Sequence, residues 1–145
     1  MHQSYDESNL FAKILRNEIP AIRVYEDADV VAFMDVMPQG PGHTLIIPRN
    51  GSRNILDADA TTLGRTILAV QKLAKATKQA MNADGITILQ FNEPAAGQTV
   101  FHLHFHVIPR FNGIELKHHN DKMEDLSELE NNAKKIRAAL IAIAP

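Results

Sequence analysis

Apolar and polar positions alternate most strictly at His102-Leu103-His104-Phe105-His106-Val107. Successive strand side chains point to opposite sides, so this spacing predicts a strand over Thr99 to Pro109 with three imidazoles on one face. Elsewhere the pattern follows both helical and strand periods. Leu10, Phe11, Ile14 and Leu15 mark a short helix with Ser8 as its cap, and Asn17 to Pro20 ends it. Arg23 to Glu26 and Val30 to Met34 read as two strands around an Asp-rich turn. The turn cluster Pro38 to Gly42 leads into a third strand, His43 to Pro48. The longest helix runs from about Asp59 to Met81 on Leu63, Ile67, Val70, Leu73 or Ala74, and Met81. Asp57 or Asp59 caps it, and Gly85 lies beyond its end. Thr87 to Asn92 is a strand, and Glu93 to Gln98 is a loop. Met123, Leu126, Leu129, Ala133, Ile136 and Leu140 recur at steps of three and four in a last helix. Its start is Asn120, Asp121 or the capping box Ser127-x-x-Glu130. This order lacks the strict β-α-β alternation of a parallel sheet and predicts an α+β fold with hairpin-linked strands.

Bulk properties narrow the function. The 145 residues fit one domain, 1–145, with no repeat or linker. A net charge of -2 gives no electrostatic case for long nucleic acid or an anionic membrane. There is no cysteine, which excludes disulfides and thiolate metal sites. Met1 to Asn9 lacks the apolar core of a secretory signal, and no apolar run approaches the roughly 20 residues that span a bilayer. The expected location is the cytoplasm.

The histidine row admits three readings. His-x-His on a strand can place two nitrogens on one zinc ion. The outer rings of a straight strand lie about 13 Å apart, however, so three cannot share one ion. The rings could also be packing residues of a half-buried strand. The third reading is nucleophilic attack on phosphorus, which needs one unprotonated ring nitrogen and a hydrogen bond that holds the other. Gly97, Gln98 and Thr99, just before the row, supply close backbone approach, an amide and a hydroxyl. Asn92 ends the preceding strand and can point its amide the same way.

The segment from Gly97-Gln98-Thr99 through His102-Leu103-His104-Phe105-His106-Val107 to Pro109-Arg110 resembles the signature of the histidine-triad (HIT) nucleotide-binding hydrolases. The similarity extends to Leu10-Phe11-Ala12-Lys13-Ile14, Glu18-Ile19-Pro20, Ala32 to Val36, Pro38 to His43 and Leu45 to Pro48, so it covers roughly 8–110. It implies an antiparallel sheet of about five strands with helices packed on it, dimerising through a helix and a sheet edge. Residues of about 120–144 form a helical extension to that core.

The resemblance also implies roles. His104 matches the nucleophile, which attacks an α-phosphate to form a nucleotidyl-histidine that water then hydrolyses. His102 and His106 match its flanking partners, and His43 matches a supporting histidine. Asp35 matches the carboxylate that holds the ribose hydroxyls. Asn92, Gly97, Gln98 and Thr99 match the phosphate side. Leu10, Phe11, Ile14, Phe33 and Val36 match the apolar base slot, which predicts weak discrimination between purines. Some relatives hold a structural zinc on a Cys-x-x-Cys pair in the first helix. Here that stretch is Asn9-Leu10-Phe11-Ala12, so neither metal nor cofactor is expected. The expected substrates are purine nucleoside phosphoramidates and related AMP or GMP derivatives. The alternatives are dinucleoside polyphosphate hydrolysis, suggested by Glu93 to Val100 and Pro109-Arg110, and a regulatory nucleotide-binding protein with weak hydrolysis. His118 and His119 read as solvated.

Overall fold

A computed structural model describes residues 4–117 and 122–143. Its elements are α1 (Leu10–Leu15), β1 (Arg23–Glu26), β2 (Val30–Met34), β3 (Thr44–Pro48), α2 (Ala60–Ala80), β4 (Gly85–Leu89), β5 (Phe105–Arg110) and α3 (Leu126–Ile143). The strands form one antiparallel sheet in the order β1-β2-β3-β5-β4, the expected α+β architecture.

The two central strands are buried along their whole length, Val30 to Met34 and Thr44 to Pro48. A strand covered on both faces reads as a continuous apolar run, which explains why neither shows an alternating pattern. Odd and even positions nevertheless part company. Val30, Ala32, Met34 and Ile46 join Val70 and Leu73 of α2 and Leu129, Ala133 and Ile136 of α3 in the main core. Val31, Phe33, Leu45 and Ile47 face the other way, onto Phe11 and Ile14 of α1.

The caps differ in places from the sequence expectation. Asn9 caps α1, its side chain accepting from Ala12 N–H at 2.9 Å, while Ser8 bonds to Asp6. Both residues are good caps, and the one adjoining the first helical turn takes the role. Asp59 caps α2 by accepting from Thr62 N–H, and Asp57 instead closes the turn at Arg53 and Asn54. Asn82, at φ 51°, follows the end of α2 and breaks the helix, and Gly85 already belongs to β4. β4 spans Gly85–Leu89 rather than Thr87 to Asn92, and Gln90 and Asn92 bond to each other beyond it. Helix α3 begins at Leu126, so Ser127 lies within the helix, where its hydroxyl donates to Asp125 instead of forming a capping box. His118, His119, Asn120 and Asp121 lie outside the described residues.

Arg137 of α3 donates two hydrogen bonds to the Arg23 carbonyl, which ties the helix to the edge strand β1. At the opposite edge β4 leaves Ile88 46% exposed.

Candidate active site

The face of the sheet covered by α1 is incompletely filled, because α1 has only six residues. Between them lies a cavity of about 370 Å³. Its apolar end is built by Leu10, Phe11 and Ile14 of α1, Phe33 of β2, Leu45 of β3 and Val36. Its polar end is made by Asp35, Gly97, Thr99, His104 and His106. Ten of the residues singled out from sequence therefore meet in one place. His102, His43, Asn92 and Gln98 stand behind that wall rather than in it.

Only two of the three triad histidines, His104 and His106, reach the cavity. Pairing in β5 starts only at Phe105, with Phe105 opposite Ile46 and His106 opposite Leu45, so the strand is shorter than the expected Thr99 to Pro109. The alternation nevertheless holds ahead of the ladder, because Leu103, Phe105 and Val107 all enter the main core. The His104 and His106 ring centroids are 5.1 Å apart in the cavity. His102 is fully buried elsewhere, with Nε2 2.8 Å from the Pro48 carbonyl and Nδ1 2.6 Å from the Tyr5 hydroxyl.

Each ring's partners assign its proton. A carbonyl oxygen only accepts, so His102 carries its proton on Nε2 and accepts from Tyr5 at Nδ1. His104 Nδ1 is 2.6 Å from the His102 carbonyl, so it donates, and Nε2 keeps its lone pair. His43 Nδ1 accepts from the Gln39 backbone N–H at 3.1 Å, so Nε2–H points to His106 Nδ1 at 2.9 Å. His106 is left with Nε2–H as the donor it can offer. Burial lowers the pKa of His104 from its ordinary value, only partly offset by its bond to the His102 carbonyl. Burial likewise pushes His102 down to about 4. Both rings are neutral at pH 7, which is the state a nucleophilic imidazole requires.

Asp35 is buried beside this chain. One carboxylate oxygen accepts from Met37 N–H at 2.8 Å, and the other lies 3.4 Å from His43 Nε2. Ligand atoms of Asp35, His43 and His106 come within 4.8 Å of one another, a spacing that invites a cation. The donor set argues otherwise. His43 would have to offer a lone pair at Nε2, and the Gln39 N–H at its other nitrogen fixes the proton there. Within the trio His43 Nε2–H donates to His106 Nδ1, and the Asp35 carboxylate lies beside it.

Gln98 and Asn92 build the loop that carries Gly97 and Thr99. Gln98 Oε1 accepts from Glu93 N–H and Asn54 Nδ2, and its Nε2 donates to the carbonyls of Arg53 and Val100. All four bonding positions of the amide are used, so in this arrangement it has none to spend on an anion. Asn92 accepts from Ile55 N–H and exchanges bonds with Gln90. The loop stores backbone strain. Glu93 sits at φ 77°, held by two bonds from Arg53 and one from Asn54, and Gly97 at φ 98° takes a conformation that favours glycine. Arg53, Asn54 and Glu93 were not legible as site residues because their partners are about 40 positions away in sequence. Tyr5 was missed for the same reason. Phe91 was also missed; it lines the cavity and sets its ring edge against His106, 5.6 Å between centroids.

Residues 16–113 match the family model described as the HIT domain. The chain belongs to the HIT family. It is 36% identical over 136 residues to "Protein hit" of Bacillus subtilis, covering 89% of this chain and 94% of that protein. A crystal structure of a Hit-like protein involved in cell-cycle regulation from Bartonella henselae superposes with a TM-score of 0.90 at 64% identity, over 94% of this chain and 99% of that one. A hypothetical histidine triad nucleotide-binding protein from Sulfolobus tokodaii gives a TM-score of 0.85 at 33% identity, over 92% of each chain. HIT proteins are in general nucleotide-binding hydrolases, and this chain has the fold of that group.

Proposed function

We propose that the protein hydrolyses nucleoside 5′-monophosphate derivatives, purine nucleoside phosphoramidates first among them, through a covalent nucleotidyl-His104 intermediate. The observation that carries this reading is His104 itself. It is a neutral imidazole, pinned at Nδ1 by a carbonyl, at the junction of an apolar slot and a polar rim. In the first step Nε2 bonds to the α-phosphorus, and the bond from phosphorus to the leaving nitrogen breaks. The leaving nitrogen takes its proton from solvent, because a neutral His106 that gave up Nε2–H would become an anion; that Nε2–H instead hydrogen-bonds the departing nitrogen. In the second step water attacks the same phosphorus, the P–Nε2 bond breaks, the water's proton passes to solvent, and the nucleoside monophosphate leaves. His106, held by His43, orients the groups in both steps and is unchanged at the end.

Thr99 and the Gly97 backbone serve the phosphate, and Gln98 and Asn92 act through the loop they hold. Asp35, which lines the cavity, serves the ribose. The base slot of Leu10, Phe11, Ile14, Phe33 and Val36 stacks a ring but offers few polar groups, so adenine and guanine are bound with similar affinity. The test is to incubate the protein with adenosine phosphoramidate, quench with acid-sparing denaturant, and look for an AMP-sized mass increment on His104.

A second reading, dinucleoside polyphosphate hydrolysis, is favoured by one observation. A more open cavity of about 930 Å³, bordered by Asp6, Asn9, Arg53 and Phe101, shares Leu10, Thr99 and Val100 with the first and leaves room for a large leaving group. Turnover of diadenosine polyphosphate faster than of phosphoramidate would reverse our ranking.

The reading also includes a cytoplasmic homodimer that works without a metal cofactor. The open edge at β4 and exposed Ile67 and Leu68 on α2, 47% and 66% accessible, support two-fold contact through that helix and edge. Sedimentation at micromolar concentration checks it, with a monomer as the contrary result. None of the described helices is long and apolar enough to cross a membrane.

A further inference from the structure

Tyr5 precedes the family match at 16–113 and lines neither cavity, yet its hydroxyl is 2.6 Å from the buried Nδ1 of His102. The direction of that bond is determined. His102 Nε2 faces the Pro48 carbonyl at 2.8 Å and must donate, so Nδ1 accepts and the tyrosine donates. His102 is thus gripped at both ring nitrogens, and its main chain is gripped as well. The next residue, Leu103, donates its N–H to Ser52 O at 2.9 Å, and the His102 carbonyl takes the His104 Nδ1–H at 2.6 Å. The tyrosine ring meets the His102 ring edge-on, 5.6 Å between centroids. It also lies over Gly51, where a single added Cβ would stand 2.6 Å from the tyrosine Cε2 and 2.7 Å from its Cζ. The chain has made room for this ring at Gly51.

We propose that Tyr5 is a positioning residue for the nucleophile: its hydroxyl holds the His102 ring, and His102 holds His104 through its carbonyl. The inference rests on the reading of His104 as nucleophile given above. Only the Nδ1–H tautomer of His104 presents a lone pair at Nε2, and that tautomer is set by where the His102 carbonyl lies. Loss of the tyrosine donor leaves a buried ring nitrogen unsatisfied, and the His102 ring and backbone shift to find water. A displacement of about 1 Å at a reacting group can lower the rate by about 100-fold.

The test is Tyr5→Phe in the full chain, which keeps the ring over Gly51 and removes only the hydroxyl. We expect kcat to fall about tenfold with KM unchanged within about twofold, because the substrate cavity is untouched. This pattern is that of an interaction made in the transition state. Histidine ring 15N spectra supply the second readout. The wild type shows His104 as one Nδ1–H tautomer, and Tyr5→Phe shows a mixture of tautomers. Gly51→Ala, which displaces the tyrosine from a position far from the phosphate, should reproduce both changes. It should do nothing further in a Tyr5→Ala background, where the added methyl has room. Wild-type kcat and an unchanged His104 spectrum in Tyr5→Phe would overturn the proposal. So would a loss of kcat in a folded Tyr5→Phe variant whose His104 ring spectrum is unchanged. If the wild type turns over no nucleotide, the proposed function fails, and the ring spectra still decide whether Tyr5 positions His104.

Discussion

Alternate residues of β2 and β3 face two environments that are built from the same backbone but differ in how they are closed. On one face two long helices, α2 and α3, lie across the sheet and fill it, leaving Ile46, Leu73 and Ile136 without measurable exposure. On the other face a helix of six residues covers only part of the surface, and the remainder is the cavity that ends at His104 and His106. The filled face supplies stability, and the unfilled face uses it. Close packing tolerates no gap of a few hundred Å³ in a core, so an apolar space of that size is retained for something that enters it.

The two faces should respond differently to substitution. The largest effect on activity belongs to the open face. His104→Ala should lower turnover by at least about 1,000-fold while leaving nucleoside monophosphate binding and the melting temperature close to wild type. Steady-state kinetics and calorimetry check this, and ordinary turnover would remove His104 from the mechanism. On the closed face Ile136→Ala should do the reverse, costing about 2–5 kcal/mol in urea unfolding with kcat intact at permissive temperature. Equal effects of the two variants on both readouts would dissolve the contrast.

Acid should separate them further. His102 is held neutral, its pKa pushed down by burial to about 4. Its contribution to stability is fully present above about pH 6.5, the unfolded value, and is lost as pH falls toward 4, because the unfolded chain takes up a proton that the native one refuses. The decline should reach about 3 kcal/mol across that window, read by urea unfolding at pH 7 and pH 4, and it should shrink in His102→Gln. Burial of His104 likewise keeps its ring unprotonated below the usual imidazole range, so the acid limb of turnover should lie below pH 6.5. The smallest effect is expected at the edge of the filled face. Arg137→Met removes two hydrogen bonds to the Arg23 carbonyl and should cost about 1–3 kcal/mol without altering kinetics.

Much of this division was legible in the chain. The buried strands announced themselves as apolar runs, the long helices by their period, and the polar rim by Gly97 to Thr99 and the triad spacing. The enclosure of His102 was not, because alternation assigns a residue to a face but not to the partners that cover it there. His106 lies in the paired strand and reaches the cavity, while His102 lies before it and is buried. The partners that enclose His102, Pro48 and Tyr5, come from segments 54 and 97 positions distant. Gln98 shows a related limit. An amide beside a glycine reads as an anion donor, yet it is used up by Glu93, Asn54, Arg53 and Val100, partners brought in by a strained turn. The cap of α1 moved by one residue, from Ser8 to Asn9, since two adjacent side chains have nearly equal capping power.

The central claim is that one imidazole of the three becomes covalently attached to phosphorus. Rapid-quench mass spectrometry with adenosine phosphoramidate tests it most directly, with peptide mapping of the adduct and His106→Ala used to slow its hydrolysis. The account predicts a single AMP-sized increment on His104, absent in His104→Asn. An increment on His102 or His106, or hydrolysis with no adduct at any quench time, would contradict it.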